Sequence, residues 1–467
     1  MSPLVVVAAE GVVLALMRVA VGEEAASRWA EAVEEAMLEV VVGAQHSLQA
    51  EAAAVAVLSH RHHQAAVVVA EWLALLTSGS SQCSLGLFKD LYTMRWMTTP
   101  SSSLKIALVF IIGYTNWRLV TPHVRNPFEP FLFLSHRVPV AQVLMAEPKA
   151  ALTGDTVRYQ KGYFDLCFLA FYIVVFSFIR QTTTIYLFRP FAEWWGIKNE
   201  TKRERLTEQC YAILYWGTFG ALGTYVMSHQ ESWWFNLEHL WLKYPHWQMR
   251  GELKLYYLLQ FSYWLQQALV MILKLEKPRK DYYELIAHHL VTLWLIGWSY
   301  LINLTMIGTT VFVCMDIPDT FLALSKVLNY LALDKLATVV FAGFMFIWTY
   351  FRIYLSSVTL WSVWSQFDLI PAHTREWNPE KGWWLVPWMK YQIFAPLFLL
   401  LLLNLFWYYL MWRILFRAVR GHVADEREEG EYDEEEEEAK RKTEEDPYPL
   451  HISKRSGICR LALVTKG

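Results

Sequence analysis

Long apolar stretches separated by short polar loops recur over most of the chain. The hydrocarbon core of a membrane, ~30 Å thick, is crossed by about 20 mostly apolar residues in a helix. Eight segments have this length and character, and we predict that each one is a transmembrane helix. The third segment is the weakest because it contains three glycines. The eight segments are residues 104–120, 163–179, 211–227, 255–275, 285–303, 306–327, 337–361 and 389–416.

The loops between these segments differ in charge from one side of the membrane to the other. Lys and Arg are concentrated in residues 189–205, in residues 277–280 and at the end of the eighth segment, which all fall on the same side. The opposite loops, residues 231–250 and 366–388, are rich in Trp and poorer in positive charge. Because cytosolic loops carry the excess of Lys and Arg, we predict that the basic side and the C-terminus are cytosolic.

The composition supports a membrane protein and excludes several other classes. Apolar residues make up 55% of the chain and charged residues only 18%, against about 25% charged in soluble domains. A formal net charge of −2 excludes a basic nucleic-acid-binding protein. The five cysteines show no C-x-x-C spacing, so neither a disulfide framework nor a zinc site is indicated. The predicted fold is an all-α, polytopic transmembrane bundle with about seven to eight spans.

Five ionisable residues lie inside the predicted transmembrane segments: His288, His289, Asp316, Asp319 and Arg352. A charged side chain in the middle of a span costs ~2.5–3.5 kcal/mol on translocon scales, so such residues are functional candidates. A structural hydrogen bond, an Arg–Asp bridge or a proton pathway could also explain individual members of this set.

Depth estimates bring the histidines and aspartates to a similar level in the membrane. The histidines lie about 5–6 Å inside the cytosolic start of the fifth segment. Asp319 lies about 20 Å from the opposite boundary of the sixth segment, which leaves about 10 Å to the cytosolic edge of a ~30 Å core. Asp316 and Asp319 share a helical face, and Pro318 between them is expected to loosen the helix. Two antiparallel helices could therefore place imidazole beside carboxylate.

The sequence around these residues resembles a known family. The stretch Lys277–Tyr330 contains A-H-H-L and M-D-I-P-D-T, and it resembles the signature of the longevity-assurance family, the ceramide synthases of the TLC-domain superfamily. Residues 90–105, 244–249 and 360–369 are similar to the fungal branch, and the resemblance covers about residues 88–438.

This resemblance implies an activity and a location. The expected enzyme is an acyl-CoA-dependent sphingoid base N-acyltransferase of the endoplasmic reticulum membrane, which needs no cofactor besides its substrate acyl-CoA. Its paired histidines correspond to His288 and His289, and its two aspartates to Asp316 and Asp319. The expected partners are acyl-CoA, the sphingoid base and membrane lipids. The need for a small regulatory subunit or for a homo- or heterodimer stays open, as do the acyl-chain length and the choice between dihydrosphingosine and phytosphingosine.

The resemblance also suggests a division of the chain into four regions. Residues 1–85 are poorly defined, residues 86–163 contain the first span and a lumenal loop, and residues 164–420 form the TLC catalytic domain. Residues 421–467 are predicted to be a disordered cytosolic tail, since residues 425–446 hold 14 of the 44 acidic residues and repel each other. A docking or phosphoregulated tail is the alternative.

The chemistry of amide formation explains why such residues are needed. A protonated sphingoid amine must lose a proton as it attacks a thioester, and a His with a reference pKa of ~6.5 is suited to accept it. One carboxylate could orient the imidazole and the other could hold the amine. Transfer is either direct or through an acyl-imidazole on the first histidine.

Basic residues near the histidines are candidates for binding acyl-CoA. Lys277, Arg279 and Lys280 could bind its phosphates, although a positive-inside signal would look the same. Arg352 could neutralise an aspartate or contact the CoA linker, and the aromatic and Leu-rich spans could line an acyl tunnel.

Three other functions compete with the enzyme. A non-catalytic TLC-domain protein that senses or chaperones lipid is the main alternative. A transporter would be expected to have inverted repeats, and the two halves of the chain show none. A metal hydroxylase would need several His-rich boxes, so we predict no metal site.

Overall fold

The structure is a computed structural model that describes residues 87–146, 156–275 and 282–419. The predicted N-terminal region 1–85 and the predicted tail 421–467 lie outside these ranges, as do Lys277, Arg279 and Lys280. Within the described ranges the chain is mainly helical. The helices are α1 Leu87–Tyr92, α2 Pro100–Val120, α3 Glu129–Leu132, α4 Val140–Ala146, α5 Asp165–Thr183, α6 Arg189–Trp194, α7 Glu200–Ser228, α8 Gly251–Ile272, α9 Tyr282–Leu301, α10 Thr305–Tyr330, α11 Asp334–Trp348, α12 Ser356–Ser365 and α13 Met389–Val419.

All eight predicted segments are helical in the structure: they correspond to α2, α5, α7, α8, α9, α10, α11 with α12, and α13. Four described helical stretches are long and apolar enough to cross a membrane. The remaining long helices, α7 to α10, carry more polar side chains, for example three Gln in α8 and two Asp and four Thr in α10. The four candidate spans are Pro100–Val120, Asp165–Trp194, Asp334–Ser365 and Met389–Phe416.

Two of these stretches contain a π-helical turn. The segment Thr184–Phe188 joins α5 to α6, and the segment Thr349–Leu355 joins α11 to α12. A π-helical turn inserts extra residues into a helix and rotates the side chains that follow it, and such turns are frequent at functional sites. The second of them contains Arg352.

The interior helices pack closely around α10. Helix α7 makes the most extensive contacts with α10, α8 packs on α5, and α9 contacts both α8 and α10. A cluster of buried aromatic side chains fills the space between α7, α8 and α10 and includes Tyr215, Tyr256 and Phe312. Helices α9 and α10 carry all four of the predicted His and Asp residues.

The two Trp-rich loops, residues 229–250 and 366–388, meet at one end of the helices. Trp241, Phe367 and Leu385 from these loops form a buried cluster with Ile302 and Leu304 from the turn between α9 and α10. We call this end the aromatic end. The histidines lie near the N-terminus of α9, at the opposite end of the helices.

The segment before α5 also attaches at the aromatic end. Its strand β1, Arg158–Tyr159, pairs in antiparallel fashion with β2, Met249–Arg250, which directly precedes α8. Lys161 donates a hydrogen bond to the carbonyl of Leu301 and lies 5.3 Å from the centroid of the Trp384 ring. Burial lowers the pKa of Lys161 to about 8.

A buried ion pair fastens the same segment to α8. The Lys254 Nζ lies 2.7 Å from the Asp165 carboxylate, and the exposed fractions of the two side chains are 0% and 5%. Lys254 also donates to the carbonyls of Ser135 and Gln160, and Tyr300 donates to Asp165. Since every donor of the ammonium has an acceptor, Lys254 serves here as a structural anchor.

Candidate active site

A mostly apolar cavity lies between α9, α10 and the first part of α13. Along α9 its wall runs from His288 to Ile302, a distance of about 21 Å at 1.5 Å per residue. Met315 of α10 and Pro396 of α13 line it from the other sides. The cavity therefore has an imidazole at one end and reaches the aromatic end at the other.

The two histidines of α9 have different surroundings. The His289 Nδ1 lies 2.9 Å from the carbonyl oxygen of Leu285. Because a carbonyl can only accept a hydrogen bond, Nδ1 must carry the proton, which leaves a lone pair on Nε2. The His288 Nδ1 is buried and has no hydrogen-bonding partner among the described residues. His288, not His289, lines the cavity, as expected for adjacent helical residues that point about 100° apart.

Indole rings surround the histidines. The Trp264 ring of α8 lies with its centroid 5.5 Å from both imidazoles. The Trp407 ring lies 5.4 Å from the His288 ring on another side. These contacts fix the orientation of the His288 ring without using its nitrogen atoms.

Asp319 is paired with Arg352. The Arg352 Nη2 lies 2.6 Å from the Asp319 carboxylate, and both side chains are largely buried. The guanidinium also donates to the carbonyl of Met315 at 3.0 Å and to Asn404 at 3.2 Å, and it stacks on Trp348 at 4.2 Å. The sequence left open which aspartate Arg352 would neutralise, and in the structure it is Asp319. Helix α10 continues through Pro318 in this region.

Asp316 is held in a different way. It is 1% exposed, and it accepts a hydrogen bond of 2.5 Å from the Gln260 Nε2 of α8. The Oε1 of the same amide accepts a hydrogen bond of 2.5 Å from the Tyr215 hydroxyl of α7. A carboxylate can only accept, so the amide nitrogen must face Asp316 and Tyr215 must donate to the amide oxygen. Asp316 is thus hydrogen-bonded, and among the described residues no ion pair joins it to a cation.

One face of α8 connects the aspartate to the histidines. Gln260 and Trp264 are four residues apart and are neighbours on that face. Gln260 contacts Asp316, and Trp264 contacts His288 and His289. Within the described ranges, however, no hydrogen bond or ion pair joins either imidazole to either aspartate. The carbonyl of Leu285 takes the place that a carboxylate was expected to have beside the imidazole.

Sequence reasoning did not identify Gln260, Tyr215 or Trp264 as part of the site. It considered ionisable residues alone, whereas these side chains are neutral. The available signal was an amide inside an apolar segment, since Gln260 lies within the fourth predicted segment. Lys277, Arg279 and Lys280 lie outside the described residues. Across the described ranges, no group of three or more His, Cys, Asp or Glu side chains could hold a metal ion.

Comparison with known proteins agrees with this architecture. Residues 205–413 match the model of the TLC domain, which places α7 to α10 and their cavity in a multi-pass membrane protein of the TLC class. The chain is 35% identical to sphingosine N-acyltransferase lac1 of Schizosaccharomyces pombe, covering 70% of this chain and 81% of lac1. It is also 35% identical to ceramide synthase LAG1 of Saccharomyces cerevisiae, covering 79% of this chain and 86% of LAG1. A more distant relative is ceramide synthase hyl-2 of Caenorhabditis elegans, at 28% identity over 54% of this chain and 78% of hyl-2.

The chain belongs to the ceramide synthase family, also named sphingosine N-acyltransferases. The resemblance seen in the sequence around Lys277–Tyr330 is thereby confirmed.

Proposed function

We propose that this protein transfers a fatty acyl group from acyl-CoA to the amine of a sphingoid base. The observation that carries the proposal is the cavity, which has apolar walls over about 21 Å and an imidazole at one end. An acyl chain needs such walls, and the thioester at its head needs a base or nucleophile at the point where the chain begins. Family membership supports the same reaction.

The proposed arrangement in the membrane follows the predicted topology. Eight spans in the endoplasmic reticulum membrane put the N-terminus of α9 and the C-terminus of the chain on the cytosolic side. Acyl-CoA then approaches from the cytosol, and its chain enters the cavity past His288. Lys277, Arg279 and Lys280 precede α9 directly in the sequence, and they are proposed to bind the CoA phosphates.

The two aspartates have separate roles in the proposed mechanism. Asp316 is hydrogen-bonded by a neutral amide, so its charge is available to hold the sphingoid ammonium. Asp319 is already neutralised by Arg352, and it therefore fixes the relative positions of α10 and the π-helical turn. A buried charge that is left for a substrate cation is costly until the cation binds, which favours binding of the amine at Asp316.

Bond formation then requires the imidazole. The bound ammonium first releases one proton to solvent, which leaves a neutral amine. As the lone pair of this amine attacks the thioester carbon, the nitrogen loses a second proton to an imidazole nitrogen. The tetrahedral intermediate collapses to the amide, and the CoA thiolate leaves and takes the proton from the imidazolium. In the covalent route the His288 nitrogen attacks first and releases CoA, and the amine then attacks the acyl-imidazole.

The test is an assay of purified protein with a panel of acyl-CoAs and both sphingoid bases. We expect His288→Ala to lower kcat by about 10²–10⁴-fold, the usual contribution of a general base. We expect Asp316→Asn to raise KM for the sphingoid base more than KM for acyl-CoA. Intact-protein mass spectrometry with acyl-CoA alone separates the routes, because an added acyl mass that is lost in His288→Ala indicates the covalent one.

Two results would reject the proposal. If neither the purified wild-type protein nor microsomes that contain it make the amide product, the chain is a non-catalytic lipid sensor or chaperone. If product forms at the wild-type rate in His288→Ala, the site lies elsewhere. Activity in microsomes that is lost on purification of the chain alone would indicate that a regulatory subunit or a second copy is needed.

A further inference from the structure

Two hydrogen-bond donors without partners lie at the histidine end of the cavity. The Trp264 Nε1 and the Thr292 Oγ1 are buried and have no hydrogen-bonding partner among the described residues. Both residues line the cavity together with His288. Most buried polar groups are hydrogen-bonded, so a pair of unsatisfied donors on two residues that line one cavity indicates a ligand group that they bind.

The hydroxyl of Thr292 differs from that of most threonines inside the described helices, although Thr182 in α5 also lacks a partner. The hydroxyls of Thr309 and Thr310 in α10 bond to the carbonyls of Thr305 and Met306, four residues earlier, at 2.9 and 3.0 Å. This back-bonding is the usual arrangement of a helical Thr. Thr292 does not use it, so its hydroxyl is available to a ligand.

Both donors are close to His288. Thr292 is four residues after His288 and therefore lies next to it on the same face of α9. The Trp264 ring is 5.5 Å from the His288 ring, at an angle of 71°. By contrast, the indole nitrogen of Trp298 is also unsatisfied, but Trp298 lies about 15 Å beyond His288 along α9. It is too far away to bind the same ligand atom as Trp264 and Thr292.

We infer that Trp264 and Thr292 form the oxyanion-binding site of the reaction. This inference rests on the proposed function, since it requires a thioester carbonyl beside His288. When a nitrogen attacks the carbonyl carbon, the C=O electron pair moves to the oxygen. The indole N–H and the hydroxyl then donate to that oxyanion until the pair returns and the C–S bond of CoA breaks. Fixed donors in a water-poor site stabilise the developing charge more than the ground state.

The test uses substitutions that remove one donor and little else. Thr292→Val keeps the shape and loses the hydroxyl, and Trp264→Phe keeps an aromatic ring against the histidines and loses the N–H. We expect each to lower kcat by about 10²–10³-fold, the usual effect of losing one oxyanion donor, with KM for both substrates nearly unchanged. Thr292→Ser restores the hydroxyl and should recover most of kcat.

Matched controls come from elsewhere in the same protein. Trp216→Phe removes another buried, unsatisfied indole N–H, on α7 and outside the cavity. Thr309→Val removes a buried hydroxyl that bonds to its own helix. Both controls should keep wild-type kcat, and all variants should unfold at the wild-type temperature in detergent.

The outcomes separate this inference from the proposed function. Active wild type with unchanged kcat in both Thr292→Val and Trp264→Phe would overturn the oxyanion site and leave the acyltransferase intact. A rise in KM with constant kcat would also overturn it, because the donors would then bind the ground state and the transition state equally. Wild type that is inactive both after purification and in microsomes would instead reject the acyltransferase itself.

Discussion

The residues around Asp316 form a short chain of hydrogen bonds through neutral groups. Tyr215 donates to Gln260, and Gln260 donates to Asp316, each at 2.5 Å. Gln260 is fully buried, as is Gln266 on the same helix. The Gln260 side-chain amide holds the Asp316 carboxylate in position, and the Tyr215 hydroxyl holds the amide in turn.

We predict that Gln260→Met lowers kcat/KM for the sphingoid base by about 10- to 100-fold. A hydrogen bond to a charged group contributes about 1.5–3 kcal/mol, and its loss leaves Asp316 free to rotate away from the amine. KM for acyl-CoA should change little, which separates loss of a positioning residue from general damage. The measurement is steady-state kinetics with each substrate varied in turn.

The control for this variant is Gln266→Met. Gln266 is equally buried in α8 but donates to Ser177 at 3.4 Å, away from the aspartates. It should keep the wild-type kinetics for both substrates. If Gln260→Met and Gln266→Met lowered kcat/KM for the sphingoid base equally, the buried amides of α8 would contribute to packing and not to the position of Asp316.

The sequence could identify the ionisable residues of the site but not their partners. Each of them has a cost inside a membrane that makes it conspicuous. Which aspartate Arg352 reaches depends on the rotation of its helix, and the π-helical turn Thr349–Leu355 changes that rotation. Likewise, the Leu285 carbonyl that orients His289 has no signature in the sequence, because every residue carries such a group.

The helices pack through small residues at the interface of α7 with α10. An added Cβ at Gly220 would lie 3.3 Å from Ile317, and one at Gly217 would lie 3.6 Å from Thr320. At Gly223 it would lie 2.9 Å from the Tyr256 ring and 3.0 Å from Val313. These are the three glycines that made the third segment the weakest prediction. They allow close helix–helix contact, which is how membrane helices commonly use small residues.

We predict that Gly223→Ala destabilises the protein by about 1–3 kcal/mol, the usual cost of overpacking. The added methyl would push Tyr256 of α8 and Val313 of α10 away from α7. The measurement is the unfolding temperature in detergent. Gly343→Ala on α11 is the matched control, since nothing lies within 4 Å of its added Cβ.

The control should be neutral or slightly stabilising, because Ala favours a helix over Gly by up to about 1 kcal/mol. A lower unfolding temperature in Gly343→Ala than in Gly223→Ala would contradict the role given to the α7–α10 contact.

Helix existence could be predicted from the sequence, whereas helix ends could not. Helix α7 begins at Glu200, well before the start of the third predicted segment at residue 211. Its first turns are charged, and Asn199 caps them by accepting a hydrogen bond from the Lys202 amide. Apolar length measures the part of a helix that fits the membrane core, so it misses polar turns beyond that core.

Across the whole molecule, the chain before the TLC match is fastened to the helices that form the cavity. Residues 134–165 reach α8 through β1 and β2 and through the buried pair Asp165–Lys254. Tyr300 at the end of α9 donates to the same carboxylate. Composition alone predicted a multi-pass membrane protein, but such long-range connections depend on contacts that no sequence pattern encodes.

We predict that Lys254→Met destabilises the protein by about 3–5 kcal/mol, because it leaves the buried Asp165 charge without its cation. The double variant Asp165→Asn/Lys254→Met removes both charges and should recover a large part of that loss. The unfolding temperatures of the single and double variants in one detergent measure the loss of stability and its recovery. Amide-forming activity at low temperature is measured alongside.

A surface pair provides the comparison for this anchor. Lys243 lies 2.6 Å from Glu231, but the two side chains are 68% and 53% exposed, and such pairs contribute about 0–1 kcal/mol. Lys243 does lower the pKa of the Glu231 carboxyl through its hydrogen bond, yet solvent screens most of that interaction. Lys243→Met should therefore unfold close to the wild-type temperature. If Lys254→Met did the same, the segment before α5 would be held by its strand pairing and apolar contacts, and the buried ion pair would contribute no more than an exposed one.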